Sequence, residues 1–267
     1  MPDDNLNDLE NKEFIWNLLS PWINKYNAKL ERAVIYNFHA CIANEWQKEN
    51  IFLAGDSAHQ MPPFMGAGMG TGVRDVANLS WKINLVLKNI ASPEILKTYQ
   101  KERYPHAKWT IAQTVSIGEL IEGFCAAAEG KKFIPEKKGY DVKFPHIPSG
   151  IYTNPDDEIT GYPVPQPILY IDNKKIKLDK VIESKFVIIS NKQIFDITNK
   201  AKQIVKNLNI DFVHITKNDD PDNRFKNIFK KYDYVIVRPD LYVYGGSSKD
   251  KLSEMIESLE NNFSLVT

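Results

Sequence analysis

Hydrophobic and polar positions follow two periods along this chain, and the changes of period mark its elements. Between 13 and 30, Phe14, Ile15, Leu18, Leu19, Trp22 and Ile23 recur at helical spacing, interrupted by Ser20-Pro21. Residues 31–43 read as a strand. Val34, Tyr36 and Phe38 fall on one of its faces, Ile35, Asn37 and His39 on the other. A short apolar run over 51–54 reads as a buried strand. From Val73 to Ile90 the set Val76, Leu79, Ile83, Val86, Leu87 and Ile90 fits one helix face, and Ser92-Pro93 stops it. Residues 94–128 predict further helix, with Pro105 inside it and Gly130 at its end.

After residue 130 the pattern breaks. Lys131, Lys132, Lys137 and Lys138 are followed by Pro135, Pro145, Pro148, Pro155, Pro163, Pro165 and Pro167. Such a stretch predicts a linker or an irregular domain-crossing loop. Beyond it, strands at 168–171, 185–190, 211–215 and 234–238 alternate with helical patterns at 197–208 and 248–261. The expected organisation is therefore 1–130, a proline-rich 131–167, and an α/β unit over 168–267.

Composition narrows the class. The 267 residues are 43% hydrophobic and 25% charged, an ordinary globular balance that allows one large or two modest domains. Thirty-four basic and thirty-four acidic residues cancel, so no broad field draws nucleic acid or an anionic membrane. Cys41 and Cys125 are too few and too far apart for a disulfide framework or a zinc site, and no metal is expected. The acidic start (Asp3, Asp4, Asp8, Glu10) is unlike a signal peptide. No apolar run approaches the roughly 20 residues that span a bilayer. The expectation is a cytoplasmic protein.

Candidate chemistry concentrates in Gly55-Asp56-Ser57-Ala58-His59, then Pro62-Pro63, then Gly66-Ala67-Gly68-Met69-Gly70-Thr71-Gly72. A strand ends on an acid, and a glycine-rich loop leads into a helix. Gly66, Gly68, Gly70 and Gly72 are expected to permit positive φ and close backbone approach to a ligand. The helix start offers unpaired N–H groups. One carboxylate beside such a loop suits a ligand with both hydroxyls and phosphate or carbonyl oxygens, as in a nucleotide cofactor.

The segment GDSAHQMPPFMGAGMGTGVRDVANLSWKI (55–83) resembles the second flavin-binding motif of the FAD-dependent aromatic-ring monooxygenases. It looks most like the 3-(3-hydroxyphenyl)propionate and phenol hydroxylase branch. The resemblance implies an α/β (α+β) chain: part of an FAD-binding and substrate domain, then a thioredoxin-like domain over 168–267, a likeness carried by Tyr234–Asp240. It implies FAD as cofactor, NAD(P)H as co-substrate and a phenolic or aromatic substrate. Asp56 would bind the ribityl hydroxyls, while Gly55, Pro63, Gly66, Gly68, Met69 and Gly70 would complete the cofactor contacts. Pro62, Tyr36 and Phe38 would face substrate. Flavin carries the chemistry, so no catalytic side chain is expected. His59 reads as a structural hydrogen-bonding residue. Arg74 and Asp75 read as a solvated cap or ion pair, Trp81 as packing, and Lys82 as solvated helix surface. The tail has no Cys-x-x-Cys, so no dithiol chemistry is expected.

Two departures stand out. Gly70 replaces the Asn of many members, and Glu49-Asn50-Ile51 replaces the usual Gly-Arg-Val. No G-x-G-x-x-G precedes residue 51, and residues 1–30 hold no glycine. The expectation is the C-terminal portion of a longer flavoprotein, completed by a companion chain with the N-terminal Rossmann half, or else a non-catalytic remnant. A rival from another class is a GDSL-type esterase, with Ser57 as nucleophile and Asp211-x-x-His214 completing a triad.

Overall fold

The computed structural model describes residues 11–132, 146–147, 150–153, 157–171, 174–193 and 196–265. The chain forms two units, divided after His39.

In the first unit, α1 (Lys12–Leu19) starts where the Asn11 side chain accepts from the Glu13 N–H, and it buries none of its residues. A Lys25–Glu13 ion pair ties the following turn back to it. The strand predicted over 31–43 forms only at its end. Residues 28–40 join no ladder, and Val34, Tyr36 and Phe38 stay exposed. An alternating pattern becomes a strand only when a neighbour accepts its hydrogen bonds, and no described segment pairs with 31–40.

The second unit begins with β1 (Cys41–Ile42), the hairpin β2 (Gln47–Lys48) and β3 (Ile51–Phe52), and β4 (His59–Gln60), which pairs antiparallel with β1. Trp46 is fully buried here. Its ring lies 5.4 Å from His59, 5.5 Å from Tyr99 and 6.0 Å from Tyr104. Two long helices follow, α2 (Gly68–Leu87) and α3 (Thr98–Ala128), the second continuing through Pro105. Helix α2 differs from its predicted face. Val76 and Leu87 point to solvent, whereas Thr71, Asp75, Asn78 and Lys82 are buried. The partner stripe on α3 is polar as well, with Glu102, Arg103, His106, Thr110 and Thr114 buried.

The remainder holds the hairpin β5 (Ile168–Ile171) and β6 (Lys174–Lys177), then α4 (Leu178–Ile182), β7 (Val187–Ser190), α5 (Asn199–Leu208), β8 (Asp211–His214), α6 (Lys226–Phe229), β9 (Tyr234–Val237), β10 (Val243–Ser247) and α7 (Leu252–Asn262). The four-stranded sheet has the order β10-β9-β7-β8, with β7 and β8 parallel and the other pairs antiparallel. This β-α-β then β-β-α arrangement is the thioredoxin-like topology.

Strands β7 and β9 are apolar at nearly every position because both faces of the sheet are covered. Ile188 and Ile236 pack with α5, α7 and with Trp81 and Leu85 of α2 in one cluster. Val187, Ile189, Val235 and Val237 pack with Leu169, Leu178 and Phe225 in another. The sheet therefore shares its core with α2.

Of the 131–167 stretch, Pro135, Lys137, Lys138, Pro145, Pro148 and Pro155 lie outside the described residues. The described part is packed: Ile147, Ile151 and Val164 are buried. Gly161 N–H donates to the Val243 carbonyl, and Val164 N–H to that of Leu241. Among the described residues no helix is long and apolar enough to cross a membrane, and no group of metal-ligating side chains occurs.

Candidate functional site

Strand β3 leads into a tight 3-10 turn, Gly55–Ser57. Gly55 takes φ +59°, a left-handed value that favours glycine. Across from it runs the first turn of α2, so close that a Cβ on Gly72 would stand 3.1 Å from the Gly55 Cα. Two glycines thus let a strand end and a helix start touch backbone to backbone.

A buried acid fixes this approach. Asp75 Oδ2 accepts from the Gly55 N–H at 3.1 Å and from His59 Nε2 at 2.6 Å. Its Oδ1 accepts from Arg103 Nε at 2.9 Å. Burial opposes the charge, but His59 and Arg103 outweigh it and hold the Asp75 carboxyl below its ordinary range. Of the expected solvated cap or ion pair, the structure shows an ion pair with Arg103, fully buried. Arg103 Nη2 also donates to His106 Nδ1 at 3.3 Å. Burial, with Arg103 and Arg74 nearby, pushes His106 down to about 3.

Asp56 is the opposite kind of acid. It is exposed, and its carboxylate takes no hydrogen bond from the described residues. Beside it Ala54, Gly55, Gly72, Val73, Val76 and Ala77 line an open, wholly apolar depression of about 500 Å³. Val73 and Val76 are each more than half exposed.

The next loop is seated from below. Pro62 is buried, and Pro63–Met65 makes a second 3-10 turn closed by Gly66 at φ +60°. Phe64 packs on α3 where Gly118 leaves room, since a Cβ there would stand 2.6 Å from the ring. Gly68 and Gly70 lie within the first turn of α2 and, with Gly72, have ordinary φ, so of the four loop glycines only Gly66 uses the left-handed region. Ala67 supplies no capping side chain, which leaves the first N–H groups of α2 without an intrahelical or capping partner. Met69 beside them is almost fully exposed. Tyr36 and Phe38 belong to the first unit, with ring centroids 5.2 Å apart.

A second polar cluster joins the helices to the tail. Glu102 accepts from Lys82 Nζ at 2.9 Å, Asn78 Nδ2 at 2.6 Å and both terminal nitrogens of Arg238 at 3.0 and 2.7 Å. Arg238 also holds Asp240, with Nε at 3.0 Å from Oδ1. Lys82, expected on a solvated surface, is completely buried. Burial lowers it to about 8 even though Glu102 opposes that shift. Sequence reasoning missed this cluster. Its signal was there: Thr71, Asp75, Asn78 and Lys82 recur at helical spacing, a stripe as regular as any apolar one.

The esterase triad does not assemble. Ser57 Oγ donates to the Ala54 carbonyl at 2.8 Å, and His214 Nδ1 lies 3.2 Å from the Lys192 carbonyl. Asp211 and His214 sit three apart on β8, hence on opposite faces, and Asp211 pairs with Lys185.

Residues 8–114 match the model of an FAD binding domain, and residues 161–262 match that of the HcaD C-terminal domain. Over these two segments the chain is similar to FAD-dependent aromatic monooxygenases. It is 27% identical over 194 residues to a probable NADH-specific resorcinol 4-hydroxylase of Rhodococcus jostii (strain RHA1), covering 70% of this chain and 36% of that protein. It is 37% identical over 122 residues to the 3-(3-hydroxy-phenyl)propionate/3-hydroxycinnamic acid hydroxylase of Escherichia coli strain E24377A, covering 45% and 22%.

Among solved structures, the flavin-dependent monooxygenase PieE, in complex with FAD and substrate, superposes with a TM-score of 0.77. That match covers 98% of this chain and 56% of PieE at 16% identity. Aklavinone-11 hydroxylase with FAD and aklavinone gives 0.69 at 17% identity over 97% and 53%. These likenesses show the fold. The chain spans about a third or less of the length of these curated relatives.

Proposed function

We propose that this chain forms one wall of the flavin site in an aromatic-ring hydroxylase acting on a phenolic substrate. The observation that carries the reading is the junction at Gly55. An apolar shelf, a glycine-to-glycine backbone contact and an unpartnered carboxylate meet there. A Cβ at position 72 would crowd that contact, so the cradle is shaped for close approach.

FAD, when bound, supplies the redox chemistry, accepting a hydride from NAD(P)H and activating O2 to hydroxylate an aromatic ring. The chain's own residues hold and orient. Asp56 accepts hydrogen bonds from the ribityl hydroxyls, and the shelf of Ala54, Val73 and Val76 excludes water from the cofactor's apolar side. The uncapped N–H groups at Gly68, Met69 and Gly70, at the positive end of α2, face the electron-rich edge of the flavin. Pro63 and Gly66 shape that loop, while Pro62 takes the substrate side. A companion polypeptide carrying a G-x-G-x-x-G half supplies the pyrophosphate cradle, which this sequence lacks. Resorcinol and 3-(3-hydroxyphenyl)propionate, named in the similar enzymes, are the first substrates to try.

The test is reconstitution with such a polypeptide. The pair is expected to retain FAD and to consume NAD(P)H when a phenolic substrate is added, while the chain alone shows only the background of free FAD. Retention without turnover on any phenol would favour a non-catalytic partner role. Substrate-dependent turnover by the pure chain would overturn the companion.

A further inference from the structure

A cavity of about 410 Å³ opens beyond the carboxyl ends of the parallel strands β7 and β8, and it shares no lining residue with the groove at Gly55. In open α/β sheets ligands collect at this end of the strands, where neighbouring connections diverge. Asn191 follows β7 directly, and Ile215, Thr216 and Lys217 follow β8. The segment from Asp220 to Lys230 closes the cavity.

Its lining has two characters. Ile215 and Phe225 are buried, and Phe229 stacks on Phe225 with centroids 5.4 Å apart. This gives a flat apolar wall. Lys217, Lys226 and Lys230 stand exposed around it, and none has an ion-pair partner among the described residues.

The loop carrying the acid is firmly built. Thr216 N–H and Oγ1 donate to Asp219 Oδ2 at 2.8 and 2.6 Å, and Phe225 N–H donates to Asp220 Oδ2 at 2.9 Å. The other Asp220 oxygen, Oδ1, is buried with no hydrogen-bond partner among the described residues, and so is Asn191 Oδ1. A buried acceptor left without a donor is costly, and the cavity both residues border is where a donor can come from.

We propose that this cavity binds a small organic acid with a flat apolar body and a hydroxyl group remote from its carboxylate. The carboxylate lies among the three lysines, the ring lies on Phe225 and Phe229, and the hydroxyl donates toward Asp220 and Asn191, directly or through one water. The site is additional to the flavin site and does not depend on that reading.

The probes are 4-hydroxybenzoate, benzoate, which lacks the donor, and phenol, which lacks the charge. Each is titrated into the full chain with labelled isoleucine and valine methyl groups. The Ile215 resonance is expected to shift with 4-hydroxybenzoate, and the other two probes to bind about tenfold more weakly, the scale of one lost charge-assisted contact. Lys226→Ala/Lys230→Ala, both exposed and unpaired, is expected to weaken 4-hydroxybenzoate by about the same factor without unfolding the chain. An unmoved Ile215 signal at millimolar probe, equal affinity for all three probes, or parental affinity in the double variant overturns the proposal. Shifts confined to Val73 and Val76 would place the acid in the groove at Gly55 and overturn it as well.

Discussion

Arg238 grips Glu102 in a two-pronged pair, Nη1 to Oε1 at 3.0 Å and Nη2 to Oε2 at 2.7 Å, although the two residues lie 136 positions apart. Each side chain is at most 1% exposed. One belongs to α3, the other follows the last residue of β9, so this ion pair joins the tail to the helices beside the core they share. The Trp81 ring lies against the same guanidinium, 5.3 Å away.

Removing one partner leaves the other charged and buried. Arg238→Met is therefore expected to cost about 3–5 kcal/mol of stability. Arg238→Lys should recover only part of that, because an ammonium cannot make the fork. Urea unfolding checks both, and a parental midpoint for Arg238→Met would show that the pair carries no weight.

Acid should weaken the fold through three groups at once. Asp75 and Glu102 are held below the ordinary carboxylate range against the opposing effect of burial, so their stability is present at neutral pH and lost as they protonate. Buried His106 stays neutral down to about 3 against an ordinary 6.5. Between those values the unfolded chain binds a proton that the folded chain refuses, so stability falls as pH drops through the window. His106→Gln should flatten part of this decline, read as unfolding midpoint against pH. Identical slopes in the two proteins would exclude the histidine as a contributor.

Lys82 runs on the alkaline side. Burial lowers it from 10.5 to about 8, so the unfolded chain holds more protons between those values and stability should rise with pH there. Lys82→Met is expected to remove that rise, and its persistence in the variant would assign it elsewhere.

The two acids of the flavin motif should separate stability from binding. Asp56→Ala, at an exposed and unpartnered position, is expected to change stability by no more than about 0.5 kcal/mol. In the reconstituted pair it should weaken FAD by about tenfold to a hundredfold, the loss of one charge-assisted hydrogen bond. Asp75→Asn strips a charge from Arg103 and disturbs the Gly55 turn, so melting temperature and FAD retention should fall together. Flavin fluorescence and thermal unfolding read the pair of effects; the reverse pattern would exchange the roles assigned to the two acids.

Gly72→Ala probes the backbone contact. The added methyl meets Gly55 at 3.1 Å, and the turn must yield at a cost of about 1–3 kcal/mol. Gly68→Ala, whose Cβ would come no nearer than 3.9 Å to Met61, is the control and should be tolerated. Equal behaviour of the two variants would remove the contact as a reason for glycine at 72.

The central strands of the sheet were legible in the sequence because they are continuous apolar runs: Val187–Ser190 and Tyr234–Val237 fall inside the segments the pattern marks. Strand β10 was not, since Gly245 and Gly246 argue against a strand until Thr153 and Tyr232 are seen packing over them. The motif over 55–83 marked the glycine-rich loop, but its inner support did not show. Periodicity scores polar residues as surface, so a buried stripe of Asp75, Asn78 and Lys82 reads as the wrong face. Val76 and Leu87 were turned inward for the same reason, and both face solvent.

Two positive and two negative side chains, Lys82 and Arg238 with Glu102 and Asp240, cancel inside a buried space. No single substitution that adds or removes a charge there keeps the sum at zero. A lineage that altered one charge would have to pass through a weakened intermediate before a second change restored neutrality. These four positions are therefore expected to be inherited as a set across descendants of this fold, changing together or staying as they are.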